Sequence, residues 1–239
     1  MISFFNSKNK FQNPLRVDVH SHLLAGLDDG VKTHDEAIEL IKHFAALGYK
    51  KLITTPHIMS DYYRNEPDQI KNKLSELNKN LLQQNILISV EAAAEYFLDE
   101  ELMRKVESKE SLLTFGKKYL LFETNFLTEP YHLNNFIFKA TTQGYKPILA
   151  HPERYGYMTM ERAEELRDRG VLFQINIPSL VGFYSKPIQK FADKLIDKGW
   201  VEMLGSDCHS MIYMQTLKEA IQSKYFRKAV ALPLINYSL

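Results

Sequence analysis

"VDVHSHLLAGLDDG", residues 17–30, decides the fold. It opens as an apolar, β-branched run, Val17 to Val19, of the kind that forms a buried strand. A nucleotide-binding sheet of the Rossmann type would follow its first strand with glycines that let the backbone approach a phosphate. Here the chain presents His20 and His22, one residue apart, and then Asp28 and Asp29. The Rossmann assignment loses its main support, and the polar groups sit where an α/β barrel keeps its chemistry, at the C-terminal end of a strand.

Working outward, short apolar runs alternate with helical patterns along the whole chain. The runs are 17–20, 51–55, 86–92, 119–123, 147–150, 171–176 and 200–204. Most are too short and too β-branched for helices, and several are apolar on both faces, as buried parallel strands are. Between the first two, Thr33 and Glu36 form a capping-box pair, Ile38, Ile41 and Ala45 a buried stripe, and Gly48 a C-terminal cap. Further helices are predicted over 67–84, 99–108, 132–143, 159–169, 187–198 and 214–224. Seven strands, each followed by a helix, predict a distorted (β/α)7 TIM-like barrel, one domain over residues 16–239 behind a polar lead-in of residues 1–15. Phe4 and Phe5 beside Lys8 and Lys10 give that lead-in the means to touch a membrane surface or a partner.

The totals narrow the function. With 30 basic and 29 acidic residues the chain has no field to gather a polyanion, which argues against nucleic acid as a partner. No apolar run approaches the roughly 20 residues that span a bilayer, so no stable membrane insertion is expected. A single cysteine, Cys208, allows no internal disulfide and suits a reducing cytoplasm.

Placed on a barrel, the polar residues converge. His20 and His22 end the first run, His57 in "TTPH" follows the second, Glu95 the third, and Glu123 ends the fourth. His151 in "ILAHPER" ends the fifth, and Asp207 and His209 in "GSDCH" follow the seventh. An HxH pair alone is usually a polar turn, and a lone glutamate after a strand is usually a helix cap. Six of seven strands delivering ligand-type residues to one rim is a different matter. Imidazoles with carboxylates are the common ligands of first-row divalent metals. Eight such groups exceed the four that one zinc ion takes, which predicts two or three ions sharing a bridging carboxylate. The other histidines, His34, His43 and His132, fall on helices and read as surface residues.

At these residues the chain resembles the PHP (polymerase and histidinol phosphatase) superfamily. More closely, it is similar to the bacterial tyrosine-protein phosphatases encoded with capsule and exopolysaccharide genes, the CpsB/CapC/YwqE family. The motifs "DVHSHLLAGLDDG", "KKLITTPH", "AAAEYFLDEEL", "YLLFET", "ILAHPERY" and "GSDCH" carry the resemblance over about residues 16–210. It implies a PHP fold and a cluster of two to three divalent ions, manganese first, with iron, cobalt or zinc compatible. His20, His22 and Asp207 would hold one ion, and Glu95 would bridge it to a second held by Glu123 and His151. His57 and His209 would hold a third, completed by Asp29 in preference to Asp28. Arg154 of HPER would grip the substrate phosphate, with Tyr155 beside it. Many members carry a second phosphate-binding arginine soon after DxH, whereas here none occurs before Arg227.

The implied activity is phosphoric monoester hydrolysis, as a protein-tyrosine phosphatase acting in the cytoplasm on the phosphotyrosine-bearing tail of a capsule-assembly kinase. Cysteine-based phosphatase chemistry is excluded, because it needs Cys-x5-Arg and the residue six after Cys208 is Met214. Tyr62, Tyr63, Phe97, Tyr155, Phe183 and Tyr184 are candidates to pack on a phenol ring, or ordinary loop aromatics. The competing assignments are a PHP phosphoesterase acting on a small ester such as histidinol phosphate, and a non-catalytic kinase-binding barrel.

Overall fold

The computed structural model describes residues 11–239, so Phe4, Phe5, Lys8 and Lys10 lie outside the described residues. The seven runs become seven positions around a curled, wholly parallel sheet. The first is β1 (Val17–Asp18). The second is split into β2 (Lys51–Thr54) and β3 (His57–Ile58), and the third into β4 (Ser89–Ala92) and β5 (Glu95–Phe97). The rest are β6 (Tyr119–Glu123), β7 (Lys146–Ala150), β8 (Leu172–Asn176) and β9 (Met203–Gly205). The split has a cause in the sequence, because Pro56 has no N–H to give a ladder. It divides the sheet into β1-β2-β4 and β3-β5-β6-β7-β8-β9, which distorts the barrel. The ends still meet above the break. Ser21 bridges Cys208 in parallel, with Asp207 N donating to His20 O at 2.8 Å and His22 N to Cys208 O at 3.0 Å.

The strands read as apolar on both faces because each face is covered. Val17, Val19, Ile53, Leu121, Ile148, Ala150 and Met203 fill the barrel interior. Leu52, Leu120, Phe122, Leu149, Phe173, Ile175 and Leu204 pack outward against the helices. The alternation along a strand then carries each inner face from apolar to polar at its C-terminal end: Leu121 then Glu123, Leu172 then Gln174 and Asn176, Met203 then Asp207.

The helices are α1 (His34–Ala46), α2 (Pro67–Gln83), α3 (Glu100–Glu107), α4 (Leu133–Thr142), α5 (Met160–Asp168), α6 (Lys186–Asp197), α7 (Met211–Ala220) and α8 (Lys224–Ala229). The Thr33/Glu36 capping box is present at α1. The predicted helix 214–224 is instead α7, starting three residues earlier behind Ser210, and a separate α8 follows. No helix among the described residues is long and apolar enough to cross a membrane. Residues 11–15, assigned to the lead-in, pack on the body: Leu15 is fully buried and Phe11 meets Phe226 edge to face.

Below the break, β1 and β9 are joined by a side chain. Asn236, in the C-terminal turn, donates through Nδ2 to Val17 O and Leu204 O and accepts through Oδ1 from Leu204 N. Asn236→Ala strands three buried backbone groups and should destabilise the fold by about 2–4 kcal/mol, read as a lower urea midpoint at unchanged slope.

Candidate metal centre

The inner polar ends form the floor of a cleft of about 290 Å³, lined by Asp29, His57, Met59, Tyr62, Tyr63, Glu123, Phe126, His151, Arg154, Asp207, His209 and Tyr213. His20, His22 and Glu95 lie buried beneath it. Glu95 is central. Its Oε2 stands 3.2 Å from His20 Nε2, 3.5 Å from His22 Nε2 and 3.1 Å from His57 Nδ1, and its Oε1 is 3.0 Å from His151 Nε2. Glu123 Oε1 lies 3.1 Å from the same His57 nitrogen. On the other side of that ring, His57 Nε2 and His209 Nε2 stand 3.5 and 3.4 Å from Asp29 Oδ1. Asp207 Oδ1 is 3.5 Å from His20, His22 and His209. The structure thus brings all nine expected ligand residues together.

Three overlapping sets of donor atoms result: His20 with His22 and Glu95, His57 with Glu95 and Glu123, and His22 with Asp29, His57 and His209. The donor chemistry fits divalent ions. Glu95 Oε2 and His57 Nδ1 are buried and, despite their proximity, have no hydrogen-bond partner among the described residues. Ligands bound at ~2.0–2.2 Å to one ion stand about 3.0–3.5 Å apart, which is the spacing found here.

The surroundings orient these donors, as outer partners of metal-ligating histidines do. His22 Nδ1 pairs with Asp28 Oδ2 at 2.7 Å, and Asp28 also accepts from the backbone N–H groups of His57 and Gly30. Asp28 therefore fixes a ligand while Asp29 faces the cleft. Gly30 follows them because a Cβ there would lie 2.4 Å from His22 O, and one on Gly205 would lie 2.7 Å from His20 Cβ. His20 Nδ1 pairs with Gln174 Oε1, Gln174 donates to Asn176 Oδ1, and Asn176 donates to Asp207 Oδ2. His151 and Asp207 both have left-handed backbones, φ 36° and 50°, a strain of about 1–3 kcal/mol each that functional sites commonly hold.

Sequence reasoning missed Gln174, Asn176, Phe126 and Tyr213. The sixth strand seemed to contribute nothing because amides are not ligand types. Their signal was two amides alternating on an otherwise apolar strand, "LFQIN".

Arg154 enters the cleft from the turn after β7. Its guanidinium is sandwiched between Phe126 and Tyr184, 4.6 and 4.3 Å from the ring centroids, and pairs with Asp207 Oδ2 at 3.1 Å. Tyr155 departs from expectation. It is 3% exposed, and its hydroxyl donates to Ala150 O and accepts from Thr124 N. Its ring braces the site from beneath and is not presented to a substrate. Of the other candidate rings, Tyr62 and Tyr63 line the cleft. Tyr63 stacks on His57 at 5.5 Å, whereas Phe183 packs on Tyr184 and Tyr213. Arg227 lies on α8 against Phe11, so among the described residues Arg154 is the one arginine or lysine lining the cleft.

Without ions the cluster holds protons. Burial opposes charge on His20, but Glu95 and Asp207 outweigh it and raise its pKa to about 9. Burial would likewise raise Glu95, yet His20, His57 and His151 hold it well below the usual carboxylate range. Metals bind neutral imidazole. Since His20 is protonated below pH 9, ion uptake near neutral pH should release protons, and affinity should climb as pH rises toward that value. Calorimetric titration in buffers of different ionisation enthalpy checks this, and uptake without proton release would contradict it.

Fold and floor together place three overlapping sets of residues that could hold divalent ions beside Arg154, at the C-terminal end of a barrel. Residues 16–231 match the family model described as "Capsular polysaccharide synthesis, CpsB/CapC", and the chain belongs to that family. It is 32% identical over 197 residues to the putative tyrosine-protein phosphatase CapC of Staphylococcus aureus, covering 82% of this chain and 77% of the relative. It is 27% identical to the tyrosine-protein phosphatase YwqE of Bacillus subtilis, covering 82% and 78%. A solved structure from the work on YwqE of Bacillus subtilis and CpsB of Streptococcus pneumoniae, described as unique metal-dependent tyrosine phosphatases, superposes with a TM-score of 0.78. It is 26% identical, with 91% of this chain and 94% of that one covered. Histidinol phosphate phosphatase from Lactococcus lactis shares the fold at a TM-score of 0.51 and 14% identity.

Proposed function

We propose that this protein is a metal-dependent protein-tyrosine phosphatase that acts in the cytoplasm on the phosphotyrosine-bearing tail of a capsule-assembly tyrosine kinase. The observation that carries it is the convergence of five imidazoles, four carboxylates and Arg154 on one cleft, supported by the family. The ligand groups are His20, His22 and Asp207, then Glu123 and His151, then His57, His209 and Asp29, with Glu95 between them. Two or three ions fit, manganese first. Divalent ions in such a site lower the pKa of a bound water from ~15.7 toward ~7 and offset phosphoryl charge.

The residues of the chain do the rest. Arg154 presents a planar fork to two phosphoryl oxygens, already aimed by the rings on either side. Tyr63, Phe126 and Tyr213 line the cleft together with the expected ligands Asp29, His57, Glu123, His151, Asp207 and His209, and would flank the phenol ring of a phosphotyrosine whose peptide stays outside. Tyrosine leaves with a pKa of about 10, so its departure demands less protonation than serine does. Cys208 is no nucleophile, because it is fully buried and burial pushes its thiol well above the ordinary value.

Phosphotyrosine peptide should be hydrolysed at least about tenfold faster than matched phosphoserine or phosphothreonine peptides, a difference of ~1.4 kcal/mol in the barrier. Steady-state kcat/KM on such a panel, with histidinol phosphate included, tests it. A higher value for histidinol phosphate or phosphoserine would move the assignment to a general metallophosphoesterase, and no turnover at all would favour a kinase-binding barrel.

A further inference from the structure

Tyr184 follows the sixth strand, is half-buried, and is not among the residues that line the cleft. Its ring face is the closer of the two against the Arg154 guanidinium, 4.3 Å from the centroid. Its hydroxyl donates to Asp207 Oδ2 at 3.1 Å and accepts from Asn176 Nδ2 at 3.0 Å. Asp207 Oδ2 thereby receives three donors, Arg154 at 3.1 Å, Asn176 at 2.7 Å and Tyr184. Oδ1, the oxygen that faces His20, His22 and His209, is left free of them. Packed against Phe183 at 5.1 Å, the tyrosine touches both an expected metal ligand and the phosphate-binding cation.

We propose that Tyr184 is a positioning residue with two separable tasks: its hydroxyl turns Asp207 so that Oδ1 serves the metal ions, and its ring holds Arg154 at the angle that receives phosphate. The proposal rests on the phosphatase assignment for its meaning, but its two contacts can be measured without turnover. The tasks come apart chemically. Phenylalanine keeps the face that the guanidinium rests on and lacks the hydroxyl. Leucine lacks both. Arg154 is a poor substitute for the hydroxyl in orienting Asp207, because its positive charge also repels the ions it stands beside.

The experiment titrates wild type, Tyr184→Phe and Tyr184→Leu first with manganese alone, then, at saturating manganese, with inorganic phosphate. Loss of an outer hydrogen bond to a ligand typically weakens metal binding by ten- to a hundredfold. Both variants should therefore bind manganese about tenfold more weakly. Phosphate binding should stay within about twofold of wild type in the phenylalanine variant and weaken about three- to fivefold in the leucine variant, the scale of a lost cation–π contact. A merely structural tyrosine would lower the melting temperature of both variants and leave both constants where they were. Manganese binding unchanged in Tyr184→Phe, or phosphate binding weakened equally in both variants or in neither, overturns the proposal. Hydrolysis of a simple aryl phosphate by the wild type is measured alongside. Its absence, with the binding pattern intact, overturns the phosphatase assignment and leaves the brace standing.

Discussion

Glu95→Gln should reduce hydrolysis of an aryl phosphate by roughly a thousandfold or more, ~4 kcal/mol in the barrier, and should lower the bound metal by more than one ion per chain. The amide is nearly isosteric, so the barrel should still fold. What changes is the charge at a buried oxygen that three imidazole nitrogens approach within 3.1–3.5 Å. A neutral amide oxygen is a weaker ligand and cannot offset the charge of two neighbouring ions. The amide nitrogen, if turned inward, would point N–H groups at His20, His57 or His151. Metal analysis by mass spectrometry, with kinetics on the same sample, is the check. Wild-type metal content and rate in this variant would remove Glu95 from the bridging position. Chelation of the wild type should mimic the variant and be reversed by manganese.

Arg154→Ala should slow hydrolysis on the order of a hundredfold, as expected when a charge-assisted contact of ~3 kcal/mol to the phosphoryl group is lost. Metal content should be retained. Asp207 keeps its bonds from Asn176 and Tyr184, and removing a cation beside the ions relieves repulsion. Arg154→Lys should recover only part of the loss, because an ammonium offers no fork and stacks poorly between Phe126 and Tyr184. A surface arginine at the end of a turn would show no kinetic change in either variant, and rates equal to wild type would assign it that lesser place.

The fold was legible where its causes are local. Val17–Val19, Thr33 with Glu36, and the runs before Glu123 and His151 announced strands and a capped helix by periodicity and chemistry. Eight of the nine expected ligand positions followed once the strands were set on a barrel, since a barrel gathers strand ends, and Asp29 came from the family resemblance. The rest depended on contacts that no single stretch contains. The break after Thr54 comes from one proline, but its effect, two partial sheets, emerges only when neighbours pair. Tyr155 looked like a rim residue because it follows Arg154. The turn over Pro152–Arg154, entered through the left-handed backbone of His151, sends the ring downward instead. Phe126 sat unremarked in a polar loop, although Gly156 N, bonded to its carbonyl at 2.8 Å, pins it beside Arg154. Gln174 and Asn176 escaped notice because their work is on other side chains.

The seam between the first and last strands has one more consequence. His20 and Asp207 meet across it, 3.5 Å apart, although nearly the whole chain separates them in sequence. An ion shared by these two residues would act as a clasp on the barrel, tying its beginning to its end in the way a long-range cross-link does. Opening the barrel would then require releasing the ion, so its thermal endurance would track the free metal concentration, gaining ~2.7 kcal/mol at a hundredfold excess over the dissociation constant. Metal supply would set how long the protein lasts as well as how fast it works.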